Sequence, residues 1–163
     1  MTHNERVLLG LVCVLGVNAG CATRGVSLRP DGTPMAQECP EEARKAMHYL
    51  QLFVGKSAWI HLDANQILAK PIILYDGPIE SMLSEDIGLI EAPARLYGQV
   101  WTAGLQPVIR YYAVHPLTGG DRIPICAVAR LGLGQLRKRP ESKPGTAILD
   151  SPRAGVDIVD EFR

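Results

Sequence analysis

Tyr97, Trp101, Tyr111 and the neighbouring Tyr112 are the side chains best suited to hold a ligand. Tyr97 and Trp101 stand four residues apart in Arg95–Trp101, a run that alternates like a strand. Leu96, Gly98 and Val100 share one face, and Tyr97, Gln99 and Trp101 share the other. Tyr111 falls in the next such run, where a return strand would set it across from them. An aromatic face on a sheet stacks sugar rings, peptide or bases, and the structural alternative is cross-strand packing in the core. Arg137, Lys138 and Arg139 form the second candidate, a basic cluster suited to a phosphate, an envelope polyanion or an acidic partner; as a plain surface loop it would simply be solvated.

Other residue types fall short of a reaction. His61 and Asp63 would share a strand face, but a metal needs further ligands and no nearby His or Cys supplies them. Gly132 and Gly134 make a GxG without the third glycine or the βαβ setting of a nucleotide loop. Ser57 and Ser81 lie in no nucleophile elbow. Glu80, Glu85, Asp86 and Glu91 are acidic residues with no cleft written around them, and His115 and Asp121 flank a Gly119-Gly120 turn. The reading therefore assigns no catalytic residue, no metal set and no cofactor.

The elements that position these residues are short. Pro40, at the first helical position, and Glu41 and Glu42 in the first turn open a helix whose apolar stripe is Ala43, Ala46, Met47 and Leu50, with Gly55 as the break. Strands follow at 57–62, 72–75, 95–101, 108–114 and 123–129, with Pro124 marking an edge or bulge. Residues 79–83 read as a strand or one helical turn, and 148–149 and 156–159 as closing strands. Close-set strands with one helix before them predict a mainly β fold, a small antiparallel barrel or sandwich. The chain has 163 residues, enough for one domain, placed at 38–163. Its 17 basic and 17 acidic residues cancel, so no general pull on nucleic acid is expected.

Residues Val7–Val17 are apolar and uncharged, too short for a comfortable membrane span of about 20 residues but suited to a signal-peptide core. Asn18-Ala19-Gly20-Cys21 resembles the lipobox of bacterial lipoproteins, with Asn18 where Leu is usual. That resemblance implies a leader over 1–20, a lipid on Cys21, a tether over 21–37 and a place on the outer membrane or periplasmic face. A plain secretory leader and an uncleaved anchor are the alternatives. In an exported chain, Cys39 and Cys126 suit a disulfide, or else remain two separate thiols.

The segments ARLYGQVW, VIRYYAV and RIPICAVAR, within 94–130, resemble a group of uncharacterised bacterial envelope lipoproteins, some of which carry serine/threonine-kinase names. The kinase marks themselves, a VAIK strand, an HRD loop and a DFG, are missing from the sequence. Residues 79–100 are faintly similar to the β-barrel of conjugation-channel proteins of the TrbI type. The combined expectation is a non-enzymatic envelope lipoprotein whose β domain binds a protein, peptide or glycan. A hydrolase of an envelope polymer and a structural subunit of an envelope assembly are the alternatives.

Overall fold

The computed structural model describes residues 25–132 and 134–163; the expected leader and Cys21 lie outside the described residues. Six strands close an antiparallel barrel in the order β2 (Ser57–His61), β4 (Gly77–Leu83), β5 (Ala94–Trp101), β6 (Val108–Pro116), β7 (Ile123–Arg130) and β9 (Arg153–Ile158). Two small ribbons flank it: β1 (Gln37–Glu38) with β10 (Glu161–Phe162), and β3 (Ile72–Tyr75) with β8 (Thr146–Leu149). Of the two expected architectures, the chain adopts the barrel. Residues 79–83 belong to a strand, not a helical turn.

Alternation fixes which residues face inward. β2 buries Ala58 and Ile60, β4 buries Ile79, Ser81 and Leu83, and β5 buries Ala94, Leu96 and Val100. A slip of one residue in any of these strands would turn its apolar set to solvent, so burial of one face sets the register. Closure rests mainly on β9, which pairs with β2 along the whole of Ser57–His61; β4 meets β2 only at Ile60↔Leu83 and His61↔Met82. The free edge of β3 is capped by a side chain. The Gln66 amide accepts from Ile73 N–H at 3.1 Å and donates to Ile73 C=O at 2.8 Å, as a neighbouring strand would.

One bulge shapes the site described below. Gly98 pairs with Tyr111 but Tyr97 pairs with Ala113, which leaves Tyr112 as an extra residue in β6. The partner strand shifts at the same place, where Ala113 meets Pro124. Gly98 is required there. A Cβ on it would collide with the Arg110 carbonyl and approach the Tyr111 ring to 2.8 Å.

The one helix among the described residues, α1 (Glu41–Tyr49), lies along β7. Pro40 takes the N-cap position, one residue earlier than the sequence suggested. The helix also stops before Gly55, because Gln51 adopts a positive φ of 56° and the chain turns there. Ala43 and Met47 are buried, and the Met47 sulfur accepts the Cys126 N–H at 3.2 Å. Beside it Cys39 and Cys126 form a disulfide with Cα atoms 5.9 Å apart, fastening the segment before α1 to β7.

Two outcomes test this frame. The bridge spans a sequence separation of 87, so replacing both cysteines by Ala should lower the unfolding free energy by about 2–5 kcal/mol, read from urea denaturation. An unchanged midpoint would show that the bridge adds nothing. Gly98→Ala should cost about 2–3 kcal/mol through overpacking at the bulge, and wild-type stability would contradict that.

Candidate functional site

The outer face of the β5–β6 hairpin carries the most unusual chemistry of the molecule. Register places Gln99 opposite Arg110 and Trp101 opposite Val108, with Tyr112 bulged out on the same side. Arg110 is fully buried. Its guanidinium lies 5.5 Å from the Trp101 ring centroid and 5.2 Å from that of Phe162 in β10. Nη2 donates to the carbonyl of Met35 at 2.9 Å and weakly to that of Pro34 at 3.4 Å. Nε and Nη1 are buried with no hydrogen-bond partner, as are the Tyr112 hydroxyl and Gln37 Oε1. Among the described residues no carboxylate pairs with Arg110.

The electrostatics follow from this placement. Burial pulls the Arg110 pKa below the ordinary guanidinium value, Tyr112 offsets part of that, and Arg29 adds to the lowering. Burial raises the Tyr112 phenol, and the adjacent Arg110 opposes the rise by its charge and by its N–H groups approaching the hydroxyl, short of a well-formed hydrogen bond. A desolvated cation costs several kcal/mol. Two ring faces, at up to about 2 kcal/mol each, and a carbonyl hydrogen bond of about 1.5–3 kcal/mol offset most of it. The unmet N–H groups then leave the balance near zero.

Part of the segment read as a tether builds the roof of this site. Residues 27–35 form a hairpin, in which Met35 N–H donates to Ser27 C=O at 2.8 Å and Arg29 N–H to Thr33 C=O at 2.7 Å. Asp31 accepts from both the N–H and the hydroxyl of Thr33, and those two bonds hold its carboxyl below the usual value. The hairpin tip rests on the β5–β6 connection so closely that a Cβ on Gly32 would come within 2.6 Å of the Ala103 Cβ. Between roof and barrel runs a cleft of about 550 Å³ lined by Gly25, Val26, Leu28, Gln37, Gln99, Trp101 and Tyr112. A second hollow of about 330 Å³ opens where β6 and β7 diverge, but its cations Arg130 and Arg163 are already paired with Asp157 and Glu161.

The structure separates the residues that the sequence grouped. Trp101 lines the cleft, with only 9% of its surface exposed. Tyr97 shares its face but lies under Arg122, whose guanidinium sits 3.7 Å from the ring centroid. Tyr111 is not across from them. Paired with Gly98, it points into the barrel, where it donates to Ser81 Oγ at 2.6 Å while Ser81 donates to Leu62 C=O at 2.6 Å. Each hydroxyl has one proton, so this chain of donors has a single sense. Burial pushes the Tyr111 phenol far up, against the opposing Ser81 bond.

The basic cluster is likewise divided. Lys138 donates to Thr102 C=O at 2.6 Å, Arg139 pairs with Asp150 at 2.6 Å and Glu141 at 3.6 Å, and Arg137 is exposed. Asp63 caps its own turn through Asn65 N–H and Gln66, and no group of three potential metal ligands occurs among the described residues. The acidic residues are dispersed. Glu80 pairs with Arg95, Glu85 accepts the Trp59 N–H and Asp86 accepts the Ala92 N–H.

Sequence reasoning placed Tyr112 in the aromatic group but passed over Arg110, Gln37 and Phe162, and also Trp59, an exposed ring 5.3 Å from the Arg153 guanidinium. One signal was available. Arg110 and Tyr112 stand at i, i+2 inside an otherwise apolar run, which puts a cation and a phenol on one strand face. Comparison with protein-family models, curated proteins and solved structures finds no match.

The energy balance gives a direct expectation. Arg110→Met keeps the length and removes the charge, so unfolding free energy should be unchanged or rise by up to about 2 kcal/mol. A loss above about 3 kcal/mol would show that the charge itself holds the fold.

Proposed function

We propose that this chain is a non-enzymatic envelope lipoprotein, tethered through Cys21, whose barrel binds a peptide, protein or glycan partner in the cleft over Trp101. The observation that carries the reading is a buried cation kept without an acidic partner behind an aromatic-lined cleft. Structural packing alone gains little from such a group, whereas a binding site gains a strong electrostatic anchor. The lipobox-like run supports the tether. Only three residues lie between Cys21 and Gly25 at the cleft wall, a reach of at most about 14 Å over four positions. An acylated Cys21 would hold the cleft close to the membrane surface, facing partners that reside there.

The tether is tested by the intact mass of the native protein beside a Cys21→Ser variant. The expected result is an N-terminal Cys21 bearing two or three acyl chains, absent from the variant. A mature chain with an unmodified Cys21, or one cut downstream of it, would overturn the lipoprotein reading.

A further inference from the structure

We infer that the cleft takes a carboxylate-bearing ligand, with Arg110, Tyr112 and Gln37 receiving the carboxylate and Trp101 supporting its apolar body. The inference rests on the cleft being the binding site and gives the chemistry of its occupant. Arg110 offers Nε–H and Nη1–H, and Tyr112 offers an O–H, all buried and unpartnered. Gln37 adds a side-chain amide whose N–H₂ donates if the amide is turned over. Tyr112 and Gln37 line the cleft, and Arg110 lies covered behind that lining, where its charge acts on the Tyr112 hydroxyl.

Charge and lining both favour a carboxylate. Arg29 donates to the same Pro34 carbonyl at 2.9 Å but is exposed, so the buried site holds one cation, Arg110, which a monoanion neutralises, whereas a phosphate dianion would bring in a second charge to desolvate. The wall is made of Val26, Leu28 and the Trp101 ring, so the group attached to the carboxylate is apolar or ring-bearing. Entry requires the 27–35 hairpin to lift, because Arg110 is fully covered. The contacts given up are the carbonyls of Met35 and Pro34, which a carboxylate oxygen replaces as a stronger acceptor.

The test uses the full chain in detergent carrying Trp59→Phe, which leaves Trp101 as the sole tryptophan of the two. Its fluorescence is titrated with benzoate, with benzamide as the neutral isostere and with inorganic phosphate, at constant ionic strength. Benzoate should bind saturably and at least about tenfold more tightly than benzamide, the value of one charge-assisted hydrogen bond. Tyr112→Phe should weaken benzoate by about tenfold, leave benzamide unchanged and keep the native unfolding curve. Arg110→Met should erase the preference for benzoate. Equal affinity for benzoate and benzamide would overturn the carboxylate inference and leave the cleft as a binding site. Tighter binding of phosphate would overturn it too, in favour of an inorganic anion. No saturable response to any of the three would remove both the inference and the cleft reading.

Discussion

The buried guanidinium of Arg110 joins parts of the chain that are far apart in sequence. It holds the carbonyls of Pro34 and Met35 from the N-terminal hairpin, the Trp101 ring from β5 and the Phe162 ring from β10. These contacts add to those of the hairpin tip and apolar wall in seating the hairpin on the barrel. This explains how a segment with few large apolar residues becomes ordered, since directional bonds to a charged donor substitute for a hydrophobic contact. The unmatched N–H groups of the same side chain also make the arrangement open to exchange, because an incoming acceptor can satisfy what the hairpin does not.

The barrel beneath keeps that outer face rigid. Inside it, the Tyr111–Ser81–Leu62 relay ties β6, β4 and the end of β2 together with every proton placed. The bulge at Tyr112 allows both faces to be used at once. Tyr111 fills the interior over the bare Gly98, while Arg110 and Tyr112 project from the opposite side. The disulfide and α1 secure β7, the strand next to β6, and Cys39 follows the cleft residue Gln37 by only two positions.

Most of the fold was legible in the sequence because it depends on period. Apolar runs and alternation in 57–62, 72–75, 95–101 and 123–129 marked the strands, and compartment logic marked the Cys39–Cys126 bridge. The site was legible only in part. Trp101 lines the cleft, but Tyr111 turns into the barrel and not across from it, because the pairing of Gly98 with Tyr111 is a tertiary fact that periodicity does not contain. The basic run 137–139 read as one patch, yet Lys138 and Arg139 turn to acceptors brought near only by folding, Thr102 and Asp150. Arg110 escaped notice because a single arginine in a strand ordinarily reaches solvent. What buries it, the 27–35 hairpin and Phe162, comes from the two ends of the described chain.

The central claim is that Arg110 is a sequestered cation with free N–H groups waiting for an acceptor. The direct measurement is the ¹⁵N–¹H resonance of its Nε–H in the full chain, assigned with Arg110→Lys. A slowly exchanging, resolved signal that moves on addition of benzoate and stays fixed with benzamide is the predicted result. A signal that exchanges as fast as those of surface arginines and ignores both ligands would contradict the account.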